Sequence, residues 1–192
     1  MRYFELRMME LDRFFSEIKE WVITILVTIV LVFAIRTYIF SPVIVDGQSM
    51  MPNLEHGDRL FINKIGLQLS ELQRFDVVVF QKDQEQYYIK RIIGLPGDEV
   101  RYKDGKLYIN GEFIKESYLM DNEVLVTYTN DFSLKQLYND AKVPENTYFV
   151  LGDNRTNSLD SRNPRVGFVS AEQILGTSNV VVWPFDRIGQ VE

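Results

Sequence analysis

From Trp21 to Ile35 the chain reads WVITILVTIVLVFAI, and with Thr37 to Phe40 beyond Arg36 the apolar stretch reaches about 20 residues. At about 1.5 Å per residue a helix of that length spans the roughly 30 Å hydrocarbon layer of a bilayer. Trp21 and Tyr38 stand near its two ends, as interfacial aromatics do, and Arg36 can extend its charge towards water. The expectation is a single transmembrane helix over residues 21–40. A buried core helix is the alternative, at odds with the short alternating segments of the remaining chain. A cleaved leader fits poorly, because FAIRTYIF offers no small-x-small site.

Residues 2–19 contain Arg2, Arg7, Arg13 and Lys19, whereas the twenty residues after Phe40 contain only Arg59. This asymmetry predicts a cytosolic segment over 1–20 and an extracytoplasmic body over 41–192. Phe4, Met8, Leu11, Phe15 and Ile18 recur at helical spacing. The N-terminal segment is therefore either an amphipathic helix lying on the inner membrane surface or a cytosolic extension of the anchor helix.

After Ser41-Pro42 the pattern changes to β-branched and aromatic runs: VIV at 43–45, RLFIN at 59–63, DVVVF at 76–80, YYIKRII at 87–93, TYFVLG at 147–152 and NVVVWPF at 179–185. VRYKDGKLYINGEFI alternates and turns at Asp104-Gly105 and Asn110-Gly111, dipeptides that supply the positive φ of two-residue hairpins. The predicted fold class is mostly β: the anchor helix, then an antiparallel β-rich body with a small hairpin and loop lobe over about 100–145. A short helix is expected around Ser170 to Leu175.

Composition closes several routes to function. There is no cysteine, which excludes disulfides, thiolate metal sites and a cysteine nucleophile, and the lone His56 rules out a multi-histidine metal centre. His56 lies only seven residues after Ser49, too close for an ordinary Ser-His pair, so a hydrolytic base is expected to be another residue type. No cofactor or metal is expected. A net charge of −6 without a sizeable basic patch argues against nucleic acid as a partner.

Three constellations could carry chemistry. In Val45-Asp46-Gly47-Gln48-Ser49-Met50-Met51-Pro52 a serine follows a glycine at the end of an apolar strand; such a turn exposes a side chain and frees backbone N–H groups, although most serines in this setting are ordinary turn residues. In YYIKRII the period of two places Tyr88, Lys90 and Ile92 on one face. An ammonium among apolar side chains loses hydration and becomes available as a neutral base, whereas an edge-strand lysine would carry its head into water. The loop from Gly152 to Arg162 is dense in Asp, Asn, Ser and Arg, suited either to buttressing a site or to a structural network of its own.

In this order behind an N-terminal anchor, GQSMMPNL, GDRLFINK, DVVVF, KRIIGLPGD and GDNRTNSLDSR resemble the bacterial type I signal peptidases, and the ending VVWPFDRIG does too. The resemblance implies a serine endopeptidase in which Ser49 attacks the scissile carbonyl and Lys90 is the general base. Ser158 matches the serine that orients the lysine amine, and Arg91, Asp153, Asp160 and Arg162 match charged residues that brace the site, with the pairing left open. Val43, Val45, Met50, Leu54, Tyr88 and Ile89 match positions lining shallow pockets for an Ala-x-Ala-like motif. The Ser49 N–H would serve the oxyanion; the serine that Gram-negative relatives place two residues earlier is Gly47 here, as in the Gram-positive branch, which leaves the second donor open. Implied partners are exported preproteins, the lipid bilayer and the secretion translocon as a candidate; the implied location is the bacterial cell membrane, single-pass with the N-terminus inside.

Ser49 lies nine positions after Phe40, so the nucleophile lies within about 30 Å of the anchor's end, the level at which a signal peptide leaves the bilayer. Two other readings compete: a soluble serine-lysine autoprotease domain of the DNA-damage repressor type, and a non-catalytic membrane scaffold.

Overall fold

The structure, a computed structural model, describes residues 2–38, 40–64, 71–83, 86–119, 128–178 and 180–191, with the backbone alone for 2–12, 34–38, 40 and 41. The chain divides into two compact units, Met1–Phe40 and Ser41–Glu192.

The first unit is one helix, α1 (Arg2–Tyr38), continuous through the junction of the charged segment and the apolar run. From Trp21 to Phe33 its large apolar side chains are 50% to 69% exposed. Within the described side chains the uncharged run has thirteen residues, Trp21 to Phe33, preceded by Glu17, Lys19 and Glu20. Among the described residues no helix is long and apolar enough to cross a membrane.

The second unit is built on antiparallel strands. β1 (Phe40–Ile44), β2 (Arg59–Asn63), β3 (Val77–Gln81) and β4 (Tyr87–Gly94) come first, then β5 (Val100–Lys103), β6 (Lys106–Ile109), β7 (Glu112–Ile114) and β8 (Phe132–Ser133). After the short helix α2 (Leu134–Tyr138) follow β9 (Thr147–Leu151), β10 (Val169–Ser170), β11 (Ile174–Thr177), β12 (Val180–Trp183) and β13 (Gly189–Gln190). The larger sheet runs β10-β9-β4-β3-β11-β2-β12-β13 with β1 beside β2; the smaller runs β7-β6-β5-β8.

Turn chemistry sets the smaller sheet. Asp104-Gly105 and Asn110-Gly111 all have positive φ, the backbone that matches the twist of two-residue hairpins, and they join β5 to β6 and β6 to β7. Its buried face contributes Val100, Tyr102, Leu107 and Ile109, which pack with Ile93, Phe149 and Leu151 from β4 and β9. β3 is buried on both faces, as its unbroken Val-Val-Val-Phe run requires of a central strand.

One expected element is different. The helix anticipated around Ser170 to Leu175 is a single 3-10 turn, Ala171–Gln173, after which the chain enters β11 between β3 and β2. Ser-Ala-Glu-Gln-Ile-Leu has helical propensity, but pairing with two strands distant in the sequence overrides it.

Candidate active site

Ser49 lies on a loop whose neck is closed by backbone hydrogen bonds. Val45 N–H donates to Asp58 O at 2.8 Å, and Gly57 N–H to Val45 O at 2.9 Å. Within the loop Gly47 has φ +98°, a conformation open to glycine, and Leu54 N–H returns to Met50 O at 2.9 Å. Beneath it Val45, Met50 and Leu54 pack with Leu60, Val77 and Val181, so the apolar residues around Ser49 anchor the turn to the sheet.

Lys90 comes from the middle of β4, opposite Val78 of β3. Its side chain is buried, and Nζ donates to Ser49 Oγ at 2.7 Å and to Ile89 O at 2.8 Å. Tyr88, its neighbour on the same face, places its ring centroid 5.4 Å from Nζ. Burial lowers the Lys90 pKa from the ordinary 10.5 to about 8, against the opposing pull of Asp160 and Asp153. His56 is not part of this arrangement: it is exposed, and its Nδ1 accepts from Gly47 N–H at 3.3 Å and lies 3.3 Å from Asp46.

The loop from Gly152 to Arg162 supports both groups. Gly152 passes so close to Ser49 that a Cβ there would overlap the Ser49 carbonyl oxygen and the Ser158 hydroxyl; only glycine fits. Asn154 N–H donates to Ser49 O at 3.1 Å, and Asn154 Nδ2 to Gln48 O at 3.1 Å. Ser158 Oγ is buried without a hydrogen-bond partner among the described residues, and the Lys90 amine is held by Ser49 and Ile89 instead.

The bracing charges resolve into two pairs. Arg91 grips Asp153 with two parallel bonds, Nε to Oδ1 at 2.9 Å and Nη2 to Oδ2 at 2.7 Å, and its guanidinium stacks 4.0 Å from the Tyr118 ring. Arg162 forks onto Asp160 at 2.8 Å twice, while Gly152 N–H donates to Asp160 Oδ2 at 3.0 Å.

Val43, Val45, Met50, Tyr88 and Ile89 line one cleft of about 590 Å³ together with Ser49 and Lys90. Leu54 does not line it; fully buried, it belongs to the core beneath, because the turn that returns its N–H to Met50 carries its side chain inward. Leu159, Val79 and Gln86 also line the cleft, and none of them was among the pocket residues expected from the sequence. Among the described residues no cluster of acidic and histidine side chains could hold a metal ion.

Sequence reasoning also missed three polar supports. Asn53 Nδ2 donates to Asp153 Oδ2 at 2.7 Å, and Asn154 fixes the Ser49 backbone as described. Arg155, wholly buried, directs Nε to Gly152 O, Nη1 to Tyr102 and Thr129, and Nη2 to Glu116 and Tyr118, which ties the loop to the smaller sheet. A polar residue inside Met-Met-Pro-Asn-Leu was the one available hint for Asn53.

Comparison with known proteins covers most of the chain. Residues 18–183 match the family described as signal peptidase, peptidase S26. Signal peptidase I S of Bacillus subtilis is 44% identical over 90% of this chain and 93% of its own length; signal peptidase I of Bacillus licheniformis is 42% identical over 90% and 92%. The crystal structure of a signal peptidase I from Enterococcus faecalis, 43% identical, superposes with a TM-score of 0.51 over 56% of this chain and 97% of that one. The chain therefore belongs to the signal peptidases, peptidase family S26, the serine proteases that remove signal peptides from preproteins.

Proposed function

We propose that the enzyme works through a Ser49–Lys90 dyad. The observation that carries this reading is a lysine amine in hydrogen-bond contact with the Ser49 hydroxyl at 2.7 Å, in surroundings that favour its neutral form. Neutral Lys90 takes the hydroxyl proton as Ser49 Oγ bonds to the scissile carbonyl carbon. The resulting ammonium returns that proton to the departing amine as the peptide bond breaks. Water then attacks the acyl-enzyme and gives a proton to Lys90, which passes it to Ser49 Oγ as the ester bond breaks and the acid leaves, restoring both groups. The Ser49 N–H, which has no acceptor among the described residues, would donate to the oxyanion. Ser158 would bond the lysine amine once substrate draws Ser49 away.

The cleft walls, Val43, Val45, Met50, Tyr88 and Ile89, are bulky, mostly apolar side chains beside Ser49. That suits small side chains at the first and third positions before the cut, an Ala-x-Ala motif.

The α1 run supports a membrane anchor with the N-terminus in the cytoplasm of a bacterial cell. Its exposed face is apolar all round from Trp21 to Phe33. The two hydroxyls in it, Thr24 and Thr28, donate at 2.8 Å to the carbonyls of Glu20 and Thr24, which removes most of their penalty for entering lipid.

The test is cleavage of an Ala-x-Ala preprotein by the detergent-solubilised protein, with both products weighed by mass spectrometry. Cleavage after the second alanine, abolished in Ser49→Ala, is expected. Activity persisting in Ser49→Ala would sink the dyad.

A further inference from the structure

The C-terminal 3-10 turn Phe185–Arg187 lies outside the residues that line the cleft, yet Arg187 commits its side chain to the nucleophile loop. Arg187 Nε donates to Asp58 Oδ1 at 3.0 Å and Nη2 to Asp58 Oδ2 at 3.1 Å, while Nη1 reaches Glu55 Oε1 at 2.7 Å and Nη2 reaches Asn53 O at 3.4 Å. Asp58 is 1% exposed and closes the neck of the Ser49 loop: its carbonyl accepts from Val45 N–H, and its carboxylate from Glu55 N–H at 2.8 Å. A single guanidinium therefore holds three points of the segment that follows the nucleophile.

The loop needs an external hold. Gly47 and Gly57 flank it with φ of +98° and +95° and nothing packed where a side chain would be, and Asp46, Gly47 and Gln48 are exposed. On one side of the loop Asn154 ties the Ser49 and Gln48 carbonyls. On the other, among the described residues, the side chain that grips 53–58 from a distant part of the chain at three points is Arg187.

We propose that Arg187 is a positioning residue for peptide-bond cleavage, holding the 53–58 segment so that Ser49 Oγ stays at hydrogen-bond distance from Lys90 Nζ. This rests on the Ser49–Lys90 reading. Arg187 touches no part of the cleft, so its loss leaves substrate binding intact and misplaces the nucleophile; displacements of about 1 Å can lower turnover by about 100-fold. A loosened loop also admits water to Lys90 and raises the pH at which activity appears.

The experiment compares wild type, Arg187→Ala and Arg187→Lys as full chains in detergent, measuring kcat, KM, the pH profile of kcat/KM and thermal melting. In Arg187→Ala we expect kcat to fall about 10- to 100-fold with KM within about twofold, and the acid limb to move to higher pH. Arg187→Lys keeps the charge but loses the two-pronged grip, and falls between the two. A fall in activity that only tracks the folded fraction, with the acid limb unmoved, would overturn the proposal. If Arg187→Ala does not fold, Arg187→Lys decides: wild-type kcat and acid limb there overturn it. Survival of activity in Ser49→Ala would instead overturn the dyad, so the two failures are distinguishable.

Discussion

Lys90 and Arg91 are neighbours in β4, 4% and 1% exposed, and the two sides of the strand treat their cations in opposite ways. On the cleft side, no carboxylate among the described residues lies within ion-pair distance of Lys90; its contacts are a hydroxyl, a carbonyl and an aromatic ring. On the other side, Arg91 meets a carboxylate, Asp153, that is itself fully buried and is forked onto it. Desolvation without a partner destabilises the ammonium and yields a base near neutral pH. Desolvation with a partner yields a fixed strut. An arginine could not serve the first purpose, since its guanidinium stays charged, and a lysine could not fork onto Asp153.

The largest expected effect breaks the cleft side. Lys90→Met should lower cleavage by at least about 1000-fold, the upper part of the range for losing a general base. The same change should stabilise the fold at pH 7. A lysine whose pKa is depressed in the folded state binds its proton less well there than in the unfolded chain, so its burial destabilises the fold below about pH 8, and this penalty fades as pH rises towards 10.5. Removing it should raise stability at pH 7 by on the order of 1–3 kcal/mol, read from denaturant midpoints; a loss of stability would contradict the assignment.

The matching change on the other side has the opposite sign. Asp153→Ala leaves Arg91 buried without its carboxylate and Asn53 without its acceptor, and should cost about 3–5 kcal/mol of stability. Denaturant unfolding checks this, and a cost under about 1 kcal/mol would mean that the pair is not a strut.

The smallest effect concerns Ser158. Its hydroxyl is buried and unpaired, so Ser158→Ala should leave melting unchanged or raise it slightly, while lowering kcat by about 10-fold if the hydroxyl orients Lys90 during turnover. A lower melting temperature with unchanged kcat would reverse that reading.

The hairpins and the central strands were legible because local signals announce them, Asp-Gly and Asn-Gly turns and a Val-Val-Val-Phe run, whereas the pairing of Ser49 with Lys90 was implied by the family resemblance alone. β11 was not legible, because Ile174 to Thr177 become a strand only through pairing with β3 and β2. The ion pairs behaved likewise. Asp160 and Arg162 lie two residues apart, but Arg91 and Asp153 are separated by 62, and no period in either segment links them. Asn154 and Arg155 were read only as members of a polar loop suited to buttressing a site, without individual partners, and Arg187 escaped notice because a polar residue in a polar segment looks solvated until the fold shows what it touches. Leu54 was misplaced for the reverse reason: adjacency to the motif suggested the cleft, whereas the turn after Met50 sends it into the core.

The central claim, that an unpaired buried Lys90 is the base for Ser49, is tested most directly by the pH dependence of kcat/KM on an Ala-x-Ala preprotein. Activity requires the neutral amine, so the account predicts that kcat/KM rises with pH through an acid limb with an apparent pKa of about 8. A profile that is flat from about pH 6 to 9 would contradict it.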